Sequence, residues 1–202
     1  MWVVKIGGSL ETAPGLRALL ELLAEYGRSK IIIVPGGGRF ADKVRAEQTG
    51  TTMDDATAHH LAIQAMEQYA AVLCGMNTRL YPVTDPGAPG HAADISSVPV
   101  WLPGKLLAGQ PGIPCNWQVT SDSLALWLAD RIGAEALILV KSAANGTVDI
   151  ERLAAAGYLD AYFPRMLEQT SVGEIACVCI NDQEVIRQAL VSGLIPHGIR
   201  IV

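Results

Sequence analysis

Charge is scarce in this sequence. Asp, Glu, Lys and Arg make up only 17% of its 202 residues, and no two Lys or Arg residues are adjacent. With a net charge of −5 and no basic stripe interleaved with its few aromatics (5%), the chain lacks the electrostatic footprint of a nucleic-acid binder. Long apolar runs are also missing, and none reaches the roughly 18 residues of a membrane span. The first residues, Met1-Trp2-Val3-Val4-Lys5, read as a strand rather than as a basic region leading into a signal core, so a cytoplasmic location is expected. The four cysteines lack zinc spacing. Cys177 and Cys179 share one side of an expected strand, but no second Cys/His pair accompanies them. They read as small buried hydrophobes, and no protein metal ligand is assigned. Absent too is the G-x-x-x-x-G-K-[ST] run of the P-loop enzymes. No Ser/His/Asp arrangement suggests a hydrolase.

Apolar residues, in contrast, make up 50% of the chain, enough for a substantial core. The chain suits a single domain over residues 1–202. Strands are expected at residues 2–6, 30–34, 98–102 and 136–140, around Cys177, and at 198–202. Between them lie helical patterns. Leu16, Leu19, Leu20 and Leu23 line one helix face, with Gly27 as its stop. A long helix is expected after Thr52, read as its cap, and runs to about Gly75. Met66 and Tyr69 on its stripe read as core. Pro82, Pro86, Gly87, Pro89 and Gly90 make residues 82–94 loop-like, and Pro99 suggests an edge strand or a strand start. One or two short helices, interrupted near Pro164, are expected over 151–169. This alternation predicts an α/β fold, a three-layer αβα sandwich with a mainly parallel sheet.

Ligands of such sheets gather at the C-terminal strand ends, and two glycine turns sit there. Gly7-Gly8-Ser9 follows the first strand. Gly36-Gly37-Gly38 follows Ile31-Ile32-Ile33-Val34-Pro35 and opens a helix. Glycine lets another group approach backbone N–H groups closely, and a helix N-terminus behind them favours an anion. Gly36-x-Gly38-x-x-Ala41 also matches a dinucleotide fingerprint. Asp54 and Asp55 lie near the distance of a ribose-binding acid, but no second strand end presents them. Lys5 closes the first strand and places a cation beside the first turn. Alone, it could equally be a strand-end lysine reaching for water. Lys141 repeats the arrangement after residues 136–140. Asp122 belongs to Thr120-Ser121-Asp122-Ser123, where it is either simple helix-start chemistry or a carboxylate that orients lysines. Two lysines, one carboxylate and two glycine turns suit phosphoryl transfer, in which charge on the equatorial oxygens must be met by fixed donors. His59 and His60 are about 100° apart on their helix, so at most one faces a site; His60 is taken as the candidate.

Val4-Lys5-Ile6-Gly7-Gly8-Ser9-Leu10, Val34-Pro35-Gly36-Gly37-Gly38 and Thr120-Ser121-Asp122-Ser123 together resemble, in order, three motifs of the amino acid kinase family. That resemblance implies the fold named above and an ATP-dependent kinase using Mg²⁺, with a small phosphate-bearing acceptor and a homo-oligomeric state. Lys5, Asp122 and Lys141 are then the catalytic candidates. Gly7, Gly8, Ser9, Lys141, Asn145 and Gly146 would bind ATP. Gly36, Gly37, Gly38, Arg39 and His60 would bind the acceptor. Carboxylate or carbamate kinases of the same family, and a non-catalytic nucleotide-binding or storage protein, are the alternatives. The sequence departs from the family pattern in two places. Ser142-Ala143-Ala144-Asn145-Gly146 replaces an Asp-Gly-Val/Ile-Tyr-type segment. A later Gly-Gly-Met…Lys motif is missing, which leaves Lys141 or Arg165 to supply the second cation.

Overall fold

Strand β1 (Trp2–Ile6) shows how the sheet is filled. Successive strand side chains point to opposite faces, so Val4 and Ile6 join one buried cluster and Val3 the other. The computed structural model describes residues 1–88, 96–145, 149–195 and 199–200. Five further strands lie parallel in the same sheet: β2 (Ile31–Pro35), β3 (Leu80–Val83), β4 (Val98–Trp101), β5 (Ala136–Lys141) and β6 (Glu174–Cys179). Antiparallel β7 (Ile199–Arg200) completes the order β3-β4-β2-β1-β5-β6-β7. The expected α/β sandwich with a mainly parallel sheet is therefore present.

Helices cover both faces. α1 (Leu16–Tyr26) and α8 (Gln183–Ser192) pack Leu16, Leu19, Leu20, Leu23, Ile186 and Leu190 onto the side of Val4 and Ile6. On the side of Val3 lie α5 (Ser121–Arg131), α6 (Ile150–Ala155) and α7 (Phe163–Leu167), through Leu124, Leu128, Leu153 and Phe163. α2 (Gly38–Gly50) lies on α3 (Asp55–Met76), and α4 (Gly104–Leu107) is short. α3 sends Tyr69 and Leu73 into the first cluster and Ile63 and Met66 into the second. Among the described residues, no helix is long and apolar enough to cross a membrane.

Several local expectations change. Residues 80–83 form the outer strand β3 despite Pro82, because an outer strand leaves one side without ladder partners and tolerates the missing N–H. Pro99 marks a strand start, as one of the two expected readings had it; β4 lies inside the sheet, not at its edge. Asp54, not Thr52, caps α3, accepting the Thr57 N–H at 2.7 Å. Pro164 lies in the first turn of α7 rather than breaking a helix. Cys177 and Cys179 are buried free thiols, in register with Leu139 and Lys141 of β5, although they pack into different clusters. Residues 89–94, the second part of the expected 82–94 loop, and the ends of the expected 198–202 strand lie outside the described residues.

Two packing devices place the strand ends. The first is glycine against glycine. A Cβ on Gly8 would stand 2.3 Å from the Gly38 backbone nitrogen, and one on Gly36 would stand 2.3 Å from the Gly8 nitrogen. The turns after β1 and β2 thus touch backbone to backbone, helped by Gly36 N–H donating to the Ile6 carbonyl at 2.8 Å. The second is a remote cap. Thr120 occupies the N-cap position of α5, but its side chain does not cap that helix. Asp160 does so from the loop before α7. It accepts the Ser123 N–H at 2.8 Å, the Thr120 N–H and hydroxyl at 3.0 Å each, and the Ser123 hydroxyl. Burial, and then the nearby Asp122 charge, push the Asp160 carboxyl above its usual range, against these hydrogen bonds.

Gly36→Ala is expected to force the turns apart and cost about 3 kcal/mol, read as a lower urea midpoint with an unchanged slope. Asp160→Ala removes the α5 cap, for an expected loss of about 2 kcal/mol by the same measurement.

Candidate active site

Strand alternation also decides where the lysines go. Lys5 follows Val3 onto the α5 side of the sheet, and Lys141 follows Leu137 and Leu139 onto the same side of the neighbouring strand β5. β1 pairs with β2 on one side and with β5 on the other, so chain order reverses there. This is where parallel sheets open a crevice at their C-terminal ends. α5 crosses that crevice with its first turn. Asp122 forms an ion pair with Lys5 Nζ through Oδ1 and accepts a hydrogen bond from Lys141 Nζ on Oδ2, each at 2.7 Å. The three side chains are only 6%, 7% and 12% exposed, in the order Lys5, Asp122, Lys141.

The charges do not cancel. Two ammonium groups share one carboxylate, so these three side chains carry one net positive charge where the dielectric is low, with the Asp160 carboxyl lining the same cavity. Burial by itself would raise the Asp122 carboxyl, but Lys5 and Lys141 outweigh it and hold it below its ordinary value. The Lys141 ammonium is pushed below the ordinary lysine value by burial and by Lys5, with Asp122 opposing. Lys141 also donates to the Tyr158 carbonyl at 2.6 Å and sits 5.2 Å from the Tyr158 ring centroid. Burial pushes the Tyr158 hydroxyl up to about 12, so it stays a donor, bonded to the Ala143 carbonyl at 3.0 Å.

Two cavities flank this cluster. One, of about 430 Å³, is lined by Lys5, Gly7, Gly8, Ser9, Asp122 and Lys141, and further by Ala143 and Tyr158. A Cβ on Gly7 would come into ordinary contact with Lys5 Nζ, at 3.5 Å. The other cavity, of about 260 Å³, has Gly37, Gly38, Asp42 and Arg45 on one wall and His59, Ile63, Met66 and Leu124 on another. The cavities meet at Gly8, Ser9, Trp117 and Thr120, which line both.

The candidate residues thus separate. Lys5, Asp122 and Lys141 come together with Gly7, Gly8 and Ser9. Gly37 and Gly38 line the smaller cavity, but Gly36 is buried against Gly8 and lines neither. Arg39 points away: its side chain is 71% exposed and pairs with Glu11 at 3.0 Å. Glu11 also accepts the Arg39 N–H, occupying one donor of the α2 N-terminus. His60 is exposed and bonded to Gln64, whereas its neighbour His59 lines the cavity. Helix phase separates the two, and the burial of neighbouring residues selects His59. Burial lowers the His59 pKa. Arg165 is exposed beside Tyr162 and lines neither cavity, so Lys141 alone of the two supplies the second ammonium. Asn145 lines neither cavity, and Gly146 lies outside the described residues. Met66, read as core, both packs in the core and lines the smaller cavity.

Sequence reasoning passed over Arg45, Trp117 and Asp42. Arg45 lies 4.4 Å from the Trp117 ring centroid, and Trp117 Nε1–H donates to Gln48 Oε1 at 2.5 Å. Arg45 follows Gly38 and Ala41 along one face of α2, a spacing legible beforehand. Trp117 comes from a loop that no periodicity places.

Comparison with known proteins bears on the family and the fold. The model of the amino acid kinase family matches residues 1–102. The (5-(aminomethyl)furan-3-yl)methyl phosphate kinase of Methanocaldococcus jannaschii is 30% identical over 146 residues, which are 69% of this chain and 64% of that relative's length. The uridylate kinase of Archaeoglobus fulgidus has the same fold, with a TM-score of 0.64 over 94% of this chain and 95% of its own at 16% identity. An isopentenyl phosphate kinase gives a TM-score of 0.60 over 95% and 96% at 16% identity. With half its length matched by the family model, and with both glycine turns and Lys5 inside the matched half, this chain belongs to the amino acid kinase family.

Proposed function

We propose that this protein is an ATP-dependent kinase that phosphorylates a small phosphomonoester to a diphosphate. The acceptor is (5-(aminomethyl)furan-3-yl)methyl phosphate, in the synthesis of a methanofuran-type cofactor. The single observation that carries the activity is the buried Lys5–Asp122–Lys141 cluster, with surplus positive charge, between two cavities that meet at Gly8 and Ser9. The choice of acceptor rests on the 30% identical relative.

The larger cavity suits the ATP phosphates, because two ammonium groups and the turn at Gly7, Gly8 and Ser9 line it. The smaller one suits the acceptor, whose phosphate would lie near Gly37, Gly38 and Arg45. Facing oxygens there, an acceptor phosphate oxygen attacks the γ-phosphorus in line and ADP departs. Lys5 and Lys141 neutralise charge on the transferring group, and Asp122 holds both in place. The acceptor oxygen is already ionised near neutral pH, so no side chain has to remove a proton. Mg²⁺ bound with ATP would offset phosphate charge. The described residues contain no cluster of three metal-binding side chains, so the phosphates themselves would be its main ligands. The second ammonium at Asp122 meets the main objection to catalysis, the missing later lysine motif, and so weighs against a storage role.

With ATP, the furan phosphate and a panel of simple amino acids as acceptors, the diphosphate is the expected product by phosphorus NMR. Phosphorylation of an amino acid alone would overturn the choice of acceptor. Lys5→Met leaves a charge-balanced Asp122–Lys141 pair, so folding should persist while kcat falls about 10³-fold. Turnover unchanged in that variant would remove the proposed mechanism. The active form of Lys141 is protonated and its pKa is depressed, so activity should fall with rising pH below the ordinary lysine value of 10.5. Lys141→Arg, whose guanidinium does not titrate there, should move that alkaline limb upward even if kcat is lower.

A further inference from the structure

Asp42 and Arg45 stand three residues apart on α2, where opposite charges commonly pair across a helix turn. Here they do not pair. Arg45 lies over the Trp117 ring, and Trp117 is in turn tied to Gln48. Asp42 is exposed, lines the smaller cavity, and makes no hydrogen bond or ion pair with any described residue. The wall formed by α2 therefore presents one guanidinium and one carboxylate, both open to a ligand.

Position separates their roles. A phosphate that reacts with ATP must lie where the cavities meet, at Gly8, Ser9, Thr120 and Trp117. Arg45 is held against Trp117, beside that junction. Asp42, like Arg45, lines the smaller cavity and not the larger, but no residue of the junction holds it. A carboxylate there would repel a second phosphate and attract an ammonium group. Between the two ends, Ile63, Met66, Val119 and Leu124 offer an apolar surface for a small ring or chain.

We propose that Asp42 is a specificity-determining residue: its carboxylate binds a protonated amine at the non-reacting end of the acceptor. This rests on the assignment of the smaller cavity to the acceptor. It assigns Asp42 a role separate from the Lys5–Asp122–Lys141 cluster, and predicts that the cavity selects a zwitterionic phosphate ester over a purely anionic one of the same shape. A charged hydrogen bond at an exposed position suggests a preference of about tenfold.

The test uses two probes, (5-(aminomethyl)furan-3-yl)methyl phosphate and the analogue with methyl in place of aminomethyl. Each is measured by binding calorimetry without ATP and by steady-state kinetics with Mg-ATP. The wild-type protein should prefer the amine about tenfold in both Kd and kcat/KM. Asp42→Asn should bring that ratio close to one through KM rather than kcat, while Asp42→Glu should retain part of it. A ratio near one in the wild type, or the same ratio in Asp42→Asn, would overturn the proposal. So would equal loss of both probes with a raised Mg²⁺ requirement, which would mark Asp42 as a metal-linked carboxylate instead. If neither probe yields a diphosphate but calorimetry still shows an Asp42-dependent amine preference, the kinase mechanism falls and the role of Asp42 stands.

Discussion

Two ammonium groups held by one carboxylate, nearly out of contact with water, are the constraint around which the rest of the molecule is arranged. Burying any one of these charges alone would be prohibitive. Together the three side chains carry one surplus positive charge beside the larger cavity, which the Asp160 carboxyl also lines. Lys5 and Lys141 come from adjacent parallel strands, and Asp122 from the first turn of the helix above them. The Asp160 cap matters for that reason: it orders the turn that carries Asp122 through four hydrogen bonds. Lys141 is steadied in turn by the Tyr158 carbonyl.

The glycine turns answer a different demand. Their first service is steric, since Gly8 and Gly36 let two backbone segments touch where a side chain on either would collide. This close approach brings the cavities together at Gly8 and Ser9. Under the proposed function, phosphate binding, the role that glycine-rich turns usually suggest, would fall to fewer residues than the run implies. Gly36 is consumed by packing, and one N–H of the α2 N-terminus is taken by Glu11. Cationic side chains, Arg45 in one cavity and Lys5 and Lys141 in the other, supply the remaining positive charge.

The two cavities differ in kind. Lysines line the larger and apolar side chains much of the smaller, a contrast on which the proposed assignment of ATP and acceptor rests. Trp117 borders both, positioned by Gln48 and covered by Arg45. Its loop belongs to neither glycine turn, so the junction depends on three separated parts of the chain.

Local pattern by itself determined the sandwich. Apolar strands alternated with amphipathic helices, and glycine and proline marked most boundaries. The strand-end positions of Lys5 and Lys141 were legible for the same reason, because a period of two residues shows which face each occupies. Pro82 was misleading, since whether a proline breaks a strand depends on whether that strand is outermost, a property of the sheet and not of the segment. Only the tertiary structure decided that Lys141 rather than Arg165 meets Asp122, that His59 rather than His60 faces the cavity, and that Arg45 replaces Arg39 there. Each choice lay between residues of the same kind or the same charge, and helix phase, sheet order and loop path, which no local pattern encodes, separated them. The remote cap from Asp160 and the wall at Trp117 were equally invisible, because both join segments about 40 or more residues apart that meet only after the sheet has formed.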